Sequence, residues 1–269
     1  MTAPATVPGE TSAFVPAPGA ASLPRMVAAQ ATLETKTLLR NGEQLLLVLI
    51  IPVLLLVAFS LESFVSIGVH TQRGRVDFLV PGIIALAIMS TAFTSQAIAT
   101  GFERRYGVLK RLGATPLRRA GLIAAKTSTV VVVELGQAVI IVAVGFGVGW
   151  RPHTDAAGVC WAVLLALVGT AAFSGLALLM AGTLRAEATL AAANLVYLVL
   201  LGVGGVLFPF SKFPAAARGP LKLLPSGALS DGLHQVLQHH GGPPGADLAV
   251  LAVWAVVSIT LAARTFRWE

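Results

Sequence analysis

Charged side chains are scarce in this chain: 12% of its 269 residues carry one, where a soluble domain averages about 25%. That scarcity excludes an ordinary soluble globular protein. A single cysteine, Cys160, stands beside Trp161 at the start of an apolar run, which excludes an intrachain disulfide and any multi-cysteine metal site and predicts a buried, inert thiol. The chain has no HExxH and no GxSxG, so a membrane protease or hydrolase has no metal site or nucleophile to work with. Lys126-Thr127 resembles the end of a phosphate-binding loop, but the glycines that loop needs are Ala120 and Ala125, so no nucleotide site is expected. His239 and His240 are adjacent, about 100° apart on a helix, with no cysteine or carboxylate beside them. They read as solvated loop residues, as do His70 and His153. No soluble strand precedes Gly202, Gly204 and Gly205, which read as close-packing positions, not a dinucleotide fingerprint.

What the chain does have is apolar length. Hydrophobic residues make up 56% of it and the mean hydropathy is +0.82, which defines a polytopic, all-α membrane protein. There is room for about six helices of roughly 20 residues and little for a separate soluble domain. Residues 1–24 hold Pro4, Pro8, Pro16, Pro18 and Pro24 and no apolar segment; they read as a disordered tail. Residues 25–43 turn to helix formers and predict an interfacial helix, broken at Asn41-Gly42. Six spans follow, at about 45–64, 78–101, 117–148, 159–183, 190–207 and 246–263, with Pro52 tolerated inside the first. This threading puts thirteen of the 19 Lys and Arg residues on the side of both termini and leaves Arg73, Arg75, Arg151, Lys212, Arg218 and Lys222 for the other. The bias places both termini in the cytoplasm. The basic residues flank apolar spans and are not interleaved with aromatics, so the net charge of +7 reads as orientation and lipid-headgroup contact and not as nucleic-acid binding.

Two connections depart from simple loops. Residues 102–116 carry Arg104, Arg105, Lys110 and Arg111 while spacing Phe102, Tyr106, Leu109 and Leu112 at helical intervals. They predict an amphipathic helix at the cytoplasmic surface. Thr115 before Pro116 predicts its end, with Thr115 as N-cap and Pro116 as first residue of the third span. Residues 208–240 contain Pro209, Pro214, Pro220 and Pro225, which divide two short apolar stretches, 215–224 and 228–238. Neither spans a bilayer of about 30 Å at 1.5 Å per residue, so two short re-entrant helices on the outer side are expected. In the second, Leu229, Leu233, Val236 and Leu237 share a face opposite Asp231, His234 and Gln235. Glu134 is the one carboxylate deep in an apolar run and a functional candidate by cost alone. It is read as protonated, bonded to Gln137 one turn on, or facing a partner subunit.

Glu103, Arg104, Arg105, Gly107, Leu109, Lys110, Arg111, Leu112, Ala114, Thr115, Pro116 and Leu117 after the second span, with Pro209, Phe213, Pro214, Leu224 and Pro225 in the outer segment, carry a family resemblance. Over residues 25–269 the chain resembles the permease subunits of type-2 ABC exporters, in particular the daunorubicin-resistance drug-efflux permeases. Asp231-Gly232-Leu233 departs from the family's pattern, and no contacts are carried over there. The resemblance implies a transporter subunit that is not itself an enzyme, in the inner (plasma) membrane of a bacterium. Two copies of a separate ATPase would hold ATP and Mg, with no cofactor on this chain, and a second permease, identical or homologous, would pair with it. Glu103, Arg104, Arg105, Tyr106, Leu109, Lys110, Arg111, Leu112, Thr115 and Pro116 would couple to the ATPase, with Tyr106, Leu109 and Leu112 entering an apolar groove on it. Pro209, Phe213, Pro214, Leu224 and Pro225 would cap the outer end of a route bearing Glu134 and Gln137. The cargo would be an amphiphilic drug, lipid or lipid-linked glycan. The alternative is a proton-coupled secondary transporter using Glu134.

Overall fold

A computed structural model describes residues 19–61, 72–238 and 243–265. The tail through residue 18, the last residues of the first predicted span, His70 and the His239-His240 pair lie outside the described residues. All described regular structure is helical. In order come α1 (Leu23–Arg40), α2 (Gly42–Leu61) and α3 (Gln72–Ile88), then a π-helical segment (Met89–Ser95) that runs on into α4 (Gln96–Arg105). After α5 (Val108–Gly113) follow α6 (Arg119–Gly147), α7 (Ala156–Thr183) and α8 (Ala186–Val203). A 3-10 turn (Phe210–Lys212), α9 (Ala215–Lys222), α10 (Pro225–Gln238) and α11 (Gly245–Thr265) complete the chain.

Among the described residues five helices are long and apolar enough to cross a membrane: Arg73–Arg105, which joins α3, the π segment and α4, then Arg119–Gly147, Ala156–Thr183, Ala186–Val203 and Gly245–Thr265. The first predicted span falls on α2, 20 residues with Pro52 inside, of which Val48–Ser60 is the described apolar stretch. The helix expected over residues 25–43 appears as α1, begun by Pro24 in its first turn and ended at Asn41. It lies along α6, with Thr129 Oγ1 of α6 donating to Ala31 O at 3.2 Å.

The helices alternate in direction, so two ends form. Met26 and Val27 of α1, Leu109 of α5, Leu117, Leu122 and Ile123 around the start of α6, Leu178 of α7 and Ala262 of α11 gather in one apolar cluster. Both described ends of the chain and the basic 102–119 stretch therefore share one end of the bundle. The opposite end carries the link from α6 to α7 and the end of α10: His153 N donates to Leu237 O at 3.1 Å. The main core lies between, built on Leu79, Ile83, Leu86, Phe93, Phe173 and Leu229, with the Phe93 and Phe173 rings 6.4 Å apart. Close approach within it relies on small residues: a Cβ on Gly175 of α7 would lie 2.1 Å from Ser258 Oγ of α11.

Cys160 is exposed on α7 and not buried. It starts the helix on the side turned from the bundle, where Val159 and Val163 are also exposed, and a polarizable thiol costs little on an apolar surface.

The segment expected on the outer side is folded into the bundle. In α10, Leu229, Leu233, Val236 and Leu237 are buried against α3, α7 and α11. Pro81 inside α3 has no N–H to offer the carbonyl one turn back, Asp77 O, and the Gln238 side-chain amide of α10 donates to that carbonyl instead. His234 sits between Phe78 O, 2.9 Å from Nε2, and Ser230 O, 2.6 Å from Nδ1, with its ring against Phe78. Replacing Gln238→Leu should leave Asp77 O unsatisfied and lower stability by about 1 kcal/mol, read as a fall in the midpoint of thermal unfolding.

Candidate functional site

The basic end is held by side chains that the sequence presents as a uniform positive face. The predicted single helix over 102–116 is two pieces: α4 continues the second span to Arg105, and a new axis starts after Gly107. Gly107 has φ +72, a left-handed conformation that costs a glycine almost nothing, and the corner leaves Tyr106 70% exposed at its tip. Leu109 is 0% exposed: it anchors α5 to the apolar cluster of this end and does not point outward with Tyr106. Leu112 is half-buried and Lys110 and Arg111 are exposed, while Val108 adds an exposed apolar side chain beside Tyr106.

Thr115 and Pro116 do not begin the third span. Helix α6 starts at Arg119 with Arg118 as its cap, and Thr115 closes α5 instead, its Oγ1 donating to Leu112 O at 2.6 Å and accepting from Leu117 N at 3.4 Å. The residue before a proline favours extended backbone. That preference stops α5 short of Pro116: residues 115 and 116 form a bend, Arg118 is extended, and Leu117 between them takes a buried place in the basic-end cluster.

Behind this corner the charges are paired. Arg104 donates to Leu184 O and Arg105 pairs with Glu187 at the start of α8, so the end of α4 is tied to the link between α7 and α8. Glu103 faces the other way, with Oε2 2.6 Å from Lys126 Nζ of α6. Glu34 of α1 completes the group at 3.2 Å from the same ammonium. Lys126 is 4% exposed, a buried cation that two carboxylates compensate. Sequence inspection missed this triad, since Lys126 reads as one more cation of a basic loop and Glu34 lies 92 positions away in the chain. Its one visible signal is a charged residue several places inside the apolar run 117–148.

Glu134 and Gln137, the expected pathway residues, are both buried in α6 but do not bond to one another. Glu134 Oε2 accepts from Thr170 Oγ1 of α7 and its Oε1 has no hydrogen-bond partner. Gln137 instead joins three elements: Oε1 accepts from Thr91 Oγ1 of the π segment at 2.9 Å, and Nε2 donates to Val48 O of α2 at 2.9 Å. One turn of separation would suit a Glu–Gln bond on an isolated helix; in the bundle both amide atoms of Gln137 are taken by neighbours. Glu134, Gln137 and Thr170 line an otherwise apolar cavity of about 320 Å³ between α3, α6, α7 and α10.

A second cavity, of about 350 Å³, lies at the basic end between α1, α4 and α6 and is lined by Glu34, Glu103, Lys126, Gln96 and Thr100. The residues expected to form an outer cap differ in burial. Pro225 is buried, Pro209, Phe213 and Leu224 are half-buried and Pro214 is exposed. The segment between α8 and α11 is tied by other side chains: Lys222 pairs with Asp231 at 2.6 Å and lies 5.5 Å from the Phe210 ring centre. Arg218 donates to Phe213 O and Ser211 O, each at 2.9 Å, and Trp254 Nε1 of α11 donates to Leu223 O at 2.9 Å. Of the three glycines ending the fifth span, Gly204 abuts Ser226 and Gly205, with φ +69, abuts Phe210, while Gly202 meets open space. Among the described residues no group of three His, Cys, Asp or Glu side chains is placed to hold a metal.

An all-helical bundle with five membrane-length helices is a multi-pass membrane protein. A family model described as ABC-2 family transporter protein matches residues 68–264, well over half of the chain, and the chain belongs to that family. It is the transmembrane subunit of an ABC-type transporter, a family whose permeases pair with an ABC ATPase. No curated protein matches the chain. The matched segment begins after α2, so α1, which supplies Glu34, stands outside it.

Changing Lys126→Leu strands two carboxylates and should lower stability by roughly 3 kcal/mol. Leucine at Glu34, Glu103 and Lys126 together should recover most of that loss. Thermal unfolding of the two variants in the same detergent checks both.

Proposed function

We propose that this chain is the permease of an ATP-driven exporter similar to the daunorubicin-resistance efflux permeases, moving an amphiphilic drug, lipid or lipid-linked glycan outward. Two ATPase subunits hydrolyse ATP bound with Mg, and a second permease, identical or homologous, completes the pore. The protein sits in a bacterial inner membrane as six spans, with α2 as the first, both termini in the cytoplasm and α9 and α10 as re-entrant helices closing the outer end. The excess of Lys and Arg at the end shared by both described termini supports that orientation.

The observation that carries the proposal is the α4–α5 corner. Tyr106 and Val108 stand exposed beside Lys110 and Arg111, an apolar and cationic tip suited to an apolar groove with an acidic rim. Its base is tied to α6 through Glu103 and Lys126 and to the α7–α8 link through Arg104 and Arg105. A push on Tyr106 is thus shared by three spans and not by the third alone. Leu109 serves the corner from inside by anchoring α5, and the exposed Thr115 and Pro116 serve it by closing α5 ahead of α6.

The double variant Lys110→Glu with Arg111→Glu, added to Tyr106→Ala, should cut cargo-stimulated ATP turnover of the reconstituted complex at least tenfold while membrane insertion is unchanged. Normal turnover would end the docking assignment.

One observation favours a direct role for Glu134, as in a proton-coupled transporter. Its Oε1 is buried without a partner beside the apolar cavity, where an acid is costly to keep. If Glu134 carries protons, Glu134→Gln abolishes export; export at the normal rate in that variant leaves it a packing residue.

A further inference from the structure

The cavity between α1, α4 and α6 has a chemistry that the docking corner does not use. Gln96, Thr100 and Glu103 recur at positions i, i+4 and i+7 along α4 and so share one face. The π segment Met89–Ser95 lies just before them. Gln96 is 6% exposed and Thr100 0% exposed, yet Gln96 Nε2, Gln96 Oε1 and Thr100 Oγ1 all lack a hydrogen-bond partner. All three residues line the cavity. Buried polar atoms without partners are destabilising by about 1–3 kcal/mol each, and few native proteins keep three together without use.

The charged wall beside them is unbalanced. Glu34 and Glu103 supply two negative charges and Lys126 one positive charge, so a ligand carrying one positive charge neutralises the site. A primary ammonium brings three donors and no acceptor, matching the carboxylates, Gln96 Oε1 and Thr100 Oγ1. Gln96 Nε2 is a donor and calls for an acceptor oxygen next to that ammonium. Leu33, Leu38, Leu112 and Val130 also line the cavity, among polar Gln30, Thr37, Asn41, Thr91, Ser95 and Thr129, and offer an apolar side for a chain. The volume of about 350 Å³ suits a small headgroup.

We propose that this cavity binds amphiphiles whose head bears a primary ammonium beside a hydroxyl or ester oxygen. That the bound amphiphile is the cargo rests on the exporter assignment; the binding itself does not. The ligand comes from one of two sources with the same chemistry, an aminolipid headgroup of the bilayer or a free amino-alcohol amphiphile.

The test uses the full-length permease in phosphatidylcholine nanodiscs and radiolabelled 2-aminododecan-1-ol as probe. Wild type should bind the probe saturably and at least tenfold more tightly than its N-acetyl derivative. Gln96→Leu with Thr100→Val should weaken binding at least tenfold without lowering the midpoint of thermal unfolding, because the change removes unpaired polar groups and not bonds. Equal binding by the variant, or of the acetylated probe, overturns the inference, as does a large loss of stability in the variant. Competition when phosphatidylethanolamine replaces phosphatidylcholine supports the site and assigns the headgroup as source; unchanged probe binding supports it with a free amphiphile. A variant that loses the probe but still recruits its ATPase separates this site from docking. Probe binding by a permease that recruits no ATPase would remove the exporter assignment and leave the site standing.

Discussion

A lysine ammonium buried in an apolar helix bundle is stable only where negative charge meets it, and Lys126 meets Glu34 and Glu103 at once. Those two contacts fix the relative positions of α1, α4 and α6, three helices that share few other polar contacts at this end. Because attraction between charges strengthens as the surroundings become less polar, the triad acts as a stiff joint. The α4–α5 corner stands on it: with Glu103 held from one side and Arg104 and Arg105 from the other, the tip at Tyr106 has a rigid base. A surface helix lying loosely on lipid would have no reason to be tied on both flanks.

The opposite end solves a different problem with neutral groups. Pro81 leaves a carbonyl of α3 without its helical donor, and α10 supplies the donor from Gln238 while His234 reaches the next carbonyl, Phe78 O. The short helix is thus held by the defect in the span beside it. Its apolar face adds Leu229 and Leu233 to the main core, and Trp254 fixes the turn that precedes it. Between the two ends, Gln137 joins α2, α6 and the π segment. The π segment of the second span is therefore held to α6 by a bond between neutral side chains, Thr91 and Gln137, with no charge placed in an apolar medium.

These constraints give a simple mechanical layout. Charge fixes the basic end as a block, neutral hydrogen bonds hold the outer helix to a proline-weakened span, and a π-helical stretch lies between them on the helix that ends in the exposed corner. The corner at Tyr106 ends the longest continuous helix among the described residues, Arg73–Arg105, and the α3 part of that helix packs against α10. Both cavities lie beside that helix, one at each level, so each would feel its movement.

Much of this was legible in the chain itself. Apolar run length marks each membrane-length helix, because a backbone in hydrocarbon must satisfy its own hydrogen bonds and helices do so locally. Proline spacing marks the outer helices, and the period of Leu229, Leu233, Val236 and Leu237 gives the buried face of α10. Local signals failed where a distant residue decided the outcome. Thr115-Pro116 has the pattern of a helix start, yet both residues form a bend, Leu117 is buried, and α6 starts only at Arg119. Leu109 has the spacing of a docking residue, yet the glycine corner at 107 turns it into the core. Composition and periodicity alone determined an all-helical membrane protein with a basic end, since hydrophobic length and charge bias act residue by residue. Which charges are joined, which amides go without partners and where the cavities open are set by side chains tens of positions apart, and only the tertiary arrangement brings Glu34, Glu103 and Lys126 to one place.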